Sequence, residues 1–292
     1  MKIKGNLWKI TLVIVMGIMM ATMFVGCSSS ADNKSAASSS GDTTTDKSLA
    51  KIKEKGKLVV GVNAEFAPFE FHTMIDGKDT VVGFDMDLAK EIAKDMGVKL
   101  EIKELSFDAL LTTLQSGQVD VIISGLSATE ERRKTLDFSD PYYNGSEVLL
   151  TTKENLSKFN SFNDLKNQKI GIQLSSLQDK LMGTLLPDGN YTKIDSMNTL
   201  FLSLKSNQVD GLVASKVVSE MAVEANPEFV IADKVQIDDS SLNSPGVAVA
   251  LRKNSTALQT QINSTIKRLK ESGKMDGYVN EACKLAGISQ KK

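Results

Sequence analysis

Few residues of this 292-residue chain are suited to covalent or metal chemistry. It holds one histidine, His72, and two cysteines, Cys27 and Cys283. A Ser-His-Asp triad could use only His72, and so few ligands leave little room for a zinc site or a disulfide framework. Charge offers more. Glu130-Glu131-Arg132-Arg133-Lys134 is a dense charged run that follows Ser127 and Thr129. On charge pattern alone it reads as a solvated helix start. An arginine there is also suited to another task, because its planar fork donates two parallel hydrogen bonds to a carboxylate. The whole chain has 35 basic and 36 acidic residues, a net charge of −1, which gives no global field to hold nucleic acid. At 41% hydrophobic and 24% charged, it has the composition of a soluble globular protein, not of a disordered, collagen-like or polytopic membrane chain.

The N-terminus reads as an address. Lys2, Lys4 and Lys9 precede an apolar run from Ile10 to Val25, with no acid before Cys27. A basic start followed by a short apolar run is the pattern of an export signal, and the run is short for a membrane span. Phe24-Val25-Gly26-Cys27 then resembles a bacterial lipobox, with Phe24 where Leu is usual. That resemblance implies a signal peptide over residues 1–26 and a lipid-modified Cys27, with two acyl chains on the thiol. Residues 27–49 read as a disordered tether rich in Ser, Thr and Ala. Its reach is about 25 Å. Removing the three lysines with the signal takes the side-chain net charge from −1 to −4. Cys283 is left as a lone thiol, packed in a helical setting.

Beyond the tether, strand and helix signals alternate. Leu58-Val59-Val60-Gly61-Val62 reads as a buried parallel strand. Asp85 to Met96 carries apolar residues at helical spacing and stops at Gly97. Val98–Ile102 and Val119–Ser124 read as further strands, with Ser106 capping the helix between them. Leu114-Gln115-Ser116-Gly117-Gln118-Val119-Asp120 is echoed at Leu204-Lys205-Ser206-Asn207-Gln208-Val209-Asp210. The echo predicts two α/β units of similar build, with ligands bound beyond the carboxyl ends of their strands. Val247–Leu251 reads as a strand, Ser255–Glu271 as an amphipathic helix closed by Gly273, and a last helix runs through Leu285.

Several motifs stand in a recognisable order. They are Asn63-Ala64-Glu65-Phe66-Ala67-Pro68-Phe69-Glu70-Phe71, Gly83-Phe84-Asp85-Met86-Asp87-Leu88, Ser124 through Arg132, and Asp137-Phe138-Ser139-Asp140-Pro141-Tyr142-Tyr143. In order and spacing they resemble the extracellular solute-binding proteins of family 3, the amino-acid receptors of ABC importers. The resemblance covers about residues 50 to 287. It implies the type II periplasmic-binding-protein fold, two α/β lobes joined by a two-strand hinge. Lobe 1 would take residues 50–145 and 246–288, lobe 2 residues 146–245, with the hinge near Asn144–Val148 and Ser241–Val247.

The same resemblance implies a site. Arg132 matches the carboxylate-binding arginine, on a helix capped by Thr129, with Ser127 and nearby N–H groups as further donors. Phe66 and Phe107 match aromatic positions around the ligand side chain, while Pro68 and Phe69 shape the loop. Ser124 belongs to the same set, and Gly125 matches a carbonyl that receives the ligand ammonium. Asn63 stands where relatives that prefer basic ligands are often acidic. Gln173, Ser176 and Gln178 match ligand-facing positions of lobe 2, and Ser175 stands where Gly is usual. Ser215 occupies a position commonly Asp or Glu, the partner of the α-ammonium; Glu65 or Glu220 could compensate.

The resulting expectation is a monomeric, lipid-anchored binding protein on the outer face of the membrane, without cofactor or metal. It would pass a small polar amino acid to a permease whose ATPase lies on separate chains; no Walker A motif is present. Two alternatives use the same scaffold. One is a dehydratase for a small carboxylic acid such as arogenate or prephenate, with Arg132 as carboxylate clamp and Glu65 as acid or base. The other is a lipid-anchored amino-acid sensor.

Overall fold

The computed structural model describes residues 46–240 and 244–289. The expected signal peptide, Cys27 and the tether up to residue 45 lie outside them, as do residues 241–243 of the second connection. The end of the expected tether is already folded. Helix α1 spans Ser48–Lys55, and the Asp46 carboxylate accepts hydrogen bonds from the N–H groups of Ser48 and Ala257.

The first half builds β1 (Lys57–Val62), a small antiparallel sheet of β2 (Glu65–Phe66), β3 (Glu70–Ile75) and β4 (Lys78–Val82), then α2 (Phe84–Met96) and β5 (Lys99–Glu104). There follow α3 (Leu110–Gln115), β6 (Val121–Ile122), α4 (Glu130–Arg133) and β7 (Leu136–Phe138). The second half runs β8 (Glu147–Thr152), β9 (Lys169–Gln173), α5 (Leu177–Leu185), β10 (Asn190–Ile194), α6 (Met197–Lys205), β11 (Gly211–Ser215), α7 (Lys216–Ala225) and β12 (Phe229–Ile231). The chain then returns with β13 (Ala250–Arg252), α8 (Thr256–Glu271) and α9 (Lys274–Ser289).

Two five-stranded sheets result, in the orders β5-β1-β6-β13-β7 and β10-β9-β11-β8-β12. In each, four strands run in one direction and a single strand, β13 or β8, lies antiparallel between two of them. Helices cover both faces of each. In β1, Leu58, Val60 and Val62 face the core under α2 and α8, while Val59 faces α3. In the second sheet Leu212 and Ala214 pack under α6 and α7, and Val213 packs with Met182 of α5. A strand buried on both faces must be apolar throughout, which explains the unbroken run in β1. Among the described residues no helix is long and apolar enough to cross a membrane.

The internal echo is a structural repeat. Gly117 and Asn207 both turn in the left-handed region, at φ 76° and 57°. The aspartate three residues later then does the same work in each half. Asp120 accepts from the Val59 N–H at 2.8 Å and pairs with Lys55 at 2.6 Å. Asp210 accepts from the Lys169 N–H at 2.9 Å and pairs with Lys158 at 2.6 Å. Each carboxylate pins the start of the neighbouring parallel strand.

Some elements differ from the sequence reading. The third strand shrinks to Val121–Ile122 because Ser124 and Gly125 turn aside to bond buried carboxyl groups. Val247 makes isolated bridges to Ser127 and Tyr143, and the ladder proper begins at Ala250. Ser106 gives no cap; its hydroxyl donates to the Asp108 carboxylate ahead of a 3-10 turn at Phe107–Ala109. The last helix continues past Leu285 to Ser289.

Replacing Asp120 by Ala removes the acceptor of a buried N–H, and urea unfolding should show a loss of about 1–3 kcal/mol. Asp210→Ala should cost less, because Lys169 is exposed where Val59 is buried. Equal costs would contradict this account of the repeat.

Candidate functional site

Asn63, Ser124, Gln173 and Ser215 all lie at or just beyond the carboxyl ends of β1, β6, β9 and β11, and the two sheets present these ends to each other. Arg132 enters from the first-sheet side. Thr129, extended before α4, accepts the Arg132 N–H on its hydroxyl at 3.3 Å. This turn aims the guanidinium into the cleft. Nη1 donates to the Ser127 carbonyl and Nη2 to the Ser175 carbonyl, both at 2.9 Å. The second bond crosses between the halves. Burial pushes the guanidinium down to about 10, with the nearby Glu131 charge opposing, so it stays protonated at neutral pH. No carboxylate among the described residues forms an ion pair with it. Glu131 reaches across to Lys180 instead, at 2.9 Å.

Ser175 sits in the left-handed region at φ 62°, the conformation that suits a glycine. Its N–H is held by Asp179 at 3.1 Å while its carbonyl receives Arg132. Ser176 caps α5, accepting the Asp179 N–H on its hydroxyl at 3.1 Å. Gln178, in the first turn of that helix, donates from Nε2 to Glu147 Oε2 at 2.6 Å.

Glu147 was not singled out from the sequence. It is the first residue of β8, and the antiparallel register sets it directly opposite Ser215 on β11. Directly opposed residues share a face, with side chains about 5 Å apart. Glu147 and Ser215 accordingly line one cavity with Phe66, Gly125, Gln178 and Asp239. Burial pushes the Glu147 carboxyl up to about 7, Gln178 opposes this, and the Asp239 charge adds to it. The two acids expected to compensate for Ser215 lie elsewhere. Glu65 accepts from the Asn198 N–H in an outer groove, at 3.4 Å. Glu220 is exposed on α7, 3.9 Å from Lys216. A local signal for Glu147 did exist: it is the one charged residue of a strand otherwise Val, Leu and Thr.

The first-sheet floor is braced by buried acids. Ser124 donates to Glu70 Oε1 at 2.6 Å and accepts the Asn63 N–H at 2.9 Å. Its hydroxyl thereby braces the floor, with its one proton committed to Glu70. Asp85 accepts from the Gly125 N–H at 2.8 Å and the Tyr142 hydroxyl at 3.0 Å. Gly125 needs to be glycine twice over: φ is 54°, and a Cβ would stand 2.8 Å from the Phe66 ring. The carboxyl groups of Glu70 and Asp85 interact electrostatically, and one buried oxygen of each, Oε2 and Oδ1, has no hydrogen-bond partner among the described residues. Burial and then the Asp85 charge hold Glu70 well above the usual range, and burial brings Asp85 to about 6. One proton on Glu70, donated to Asp85, satisfies both orphaned oxygens.

Of the other expected contacts, Phe66 lines the cavity and stacks on Phe69 at 5.2 Å, and Phe69 meets the edge of Tyr143 at 5.2 Å. Ser127 also lines it. Phe107 does not; it packs beside Leu110 and Leu114 under the first sheet. Asn63 and Gln173 are spent on each other at 3.4 Å, with further bonds to the carbonyls of Leu105 and Asp195. Among the described residues, no cluster of three or more His, Cys, Asp or Glu is placed to hold a metal.

Glu70→Gln keeps an N–H aimed at Asp85 and should leave the melting temperature nearly unchanged. Glu70→Ala strands Asp85 and Ser124 and should cost about 1–3 kcal/mol for each orphaned group. A Gln variant as unstable as the Ala variant would contradict the shared proton.

Comparison with known proteins agrees with this geometry. The chain is 33% identical over 224 residues to the arginine-binding extracellular protein ArtP of Bacillus subtilis, covering 76% of this chain and 84% of ArtP. It is 28% identical to the glutamine-binding protein GlnH of the same organism, covering 92% and 94%. Among solved structures, AbpA of Streptococcus pneumoniae bound to L-arginine superposes with a TM-score of 0.78 at 41% identity, over 82% of this chain and 99% of AbpA. The ancestral amino acid-binding protein AncCDT-1, a precursor of cyclohexadienyl dehydratase, matches with a TM-score of 0.71 at 31% identity, covering 80% and 98%. Residues 58–282 match the family described as bacterial extracellular solute-binding proteins, family 3, and the chain belongs to that family.

Proposed function

We propose that the cleft captures an α-amino acid by its carboxylate on Arg132, for delivery to the permease of an ABC importer. The observation that carries this reading is a partly buried arginine that touches both halves yet has no acid partner within the described residues. A carboxylate can take two parallel bonds from the guanidinium's remaining N–H groups. The N-terminus of α5, capped by Ser176, adds positive potential on the far side.

Residues 50–145 with 246–288, and residues 146–245, act as lobes that open about the connections near Asn144–Val148 and Ser241–Val247. Ligand contacts on both lobes select the closed form. A lipid on Cys27 holds the monomer at the outer face of the membrane through the residue 27–45 tether. L-arginine is the first ligand to test. ArtP and AbpA carry that ligand in their descriptions, and Glu65, Glu104 and Asp195 line a groove beside Asn63. The protein binds and releases without chemistry, so purified protein should show no turnover of prephenate or arogenate.

Calorimetry with L-arginine, L-glutamine, L-histidine and L-cystine identifies the ligand. Arg132→Ala should weaken that ligand by about 100-fold or more, as expected when one partner of a buried charge pair is truncated. Unchanged affinity in Arg132→Ala would defeat the assignment.

A further inference from the structure

We propose that Glu147 is the anionic pole of the cleft and receives the α-ammonium of the bound amino acid, in place of any acid at position 215. The proposal rests on the capture reading above and names the group that completes it. Three observations carry it. First, Glu147 faces a cavity whose lining, among the described residues, contains no lysine, arginine or histidine. Its only hydrogen-bond partner is a neutral amide, Gln178. Second, Ser215 is short and stands directly opposite on the same face of the ladder, so it leaves open the space into which the longer Glu147 side chain reaches. Lys216, next in sequence, is exposed and turned toward Glu220. Third, the cavity walls include Phe66, Phe69 and Tyr143. Aromatic faces beside carboxylates suit an organic ammonium, and two acids alone make a poor metal site.

The groups facing Glu147 are Gln178 from α5, Ser215 from β11, and the titratable Tyr143 and Asp239. Burial disfavours the ionised carboxylate, the Gln178 bond opposes this and the Asp239 charge adds to it, so the carboxyl titrates in the neutral range, at about 7. A cation placed against it reverses both effects. Ligand binding near pH 7 therefore releases protons from Glu147.

The test uses the protein screened against the twenty L-amino acids and L-cystine, then calorimetry of the strongest binder in phosphate and Tris buffers. Glu147→Gln is nearly isosteric and keeps a polar partner for Gln178. It should weaken binding by about 30-fold or more and abolish the proton release. Glu147→Gln combined with Ser215→Asp moves the carboxylate to the opposite strand on the same face, and should recover at least about tenfold of the loss. Proton release by the unmodified protein is read without any variant. Three results would overturn the proposal: full affinity in Glu147→Gln, the same proton release with and without Glu147, or a loss that Ser215→Asp leaves unrepaired, which would make Glu147 a support for Gln178. If no amino acid binds the unmodified protein, the capture reading itself falls, and this proposal with it.

Discussion

Two partly buried charges of opposite sign, Arg132 and Glu147, line neighbouring pockets that share Leu177, and among the described residues neither has an ionic partner. Arg132 is held by carbonyl oxygens and Glu147 by an amide. Taking a charge out of water costs several kcal/mol even after relaxation, and a neutral hydrogen bond returns only part of that. Folding alone gives no reason to keep both. A zwitterion supplies both missing partners at once, a carboxylate for the arginine and an ammonium for the glutamate. The rest of the fold can be understood as the apparatus that keeps these two groups apart and aimed. Thr129 fixes the turn that launches Arg132, and the β8–β11 register fixes where Glu147 points.

The contacts that join the halves across the cleft are individually weak. Glu131–Lys180 is exposed on both sides, Gln173–Asn63 is long at 3.4 Å, and Asn198–Glu65 is equally long. Exposed ion pairs contribute about 0–1 kcal/mol. Such contacts would let the proposed closure respond to a ligand that touches both halves. The strained Ser175 belongs to this set. Its left-handed backbone presents a carbonyl to Arg132, so the second half touches the group proposed to hold the ligand carboxylate. Beneath the cleft, Glu70 accepts from Ser124 and Asp85 from the Gly125 N–H, and one proton shared between the two acids leaves the pair with a single negative charge instead of two.

What the sequence made legible was local. The β1 run, the α2 face with its Gly97 stop and the α8 stripe of Leu258, Ile262, Ile266 and Leu269 follow from period and capping, and all four stripe residues are buried. The repeated Asp120 and Asp210 were visible as an echo, although their task of pinning a neighbouring strand was not. Arg132 stood out only through the family resemblance, since its charged run looks like solvated surface. Glu147 was missed because its meaning depends on a strand pairing 68 residues apart in sequence, at the Ser215–Glu147 register. The bracing role of Ser124 is hidden for the same reason. Its hydroxyl is consumed by Glu70, which is 54 residues away. Phe107 has an aromatic's chemistry and a core residue's position.

The central claim is that the cleft selects a zwitterion, and calorimetry with L-arginine and two truncated analogues tests it most directly. Agmatine lacks the α-carboxylate, and 5-guanidinopentanoic acid lacks the α-ammonium. L-arginine should bind, and each analogue should lose about 30-fold or more, because each leaves one of the two desolvated charges, Arg132 or Glu147, unpaired. Either analogue binding within about threefold of L-arginine would contradict the account.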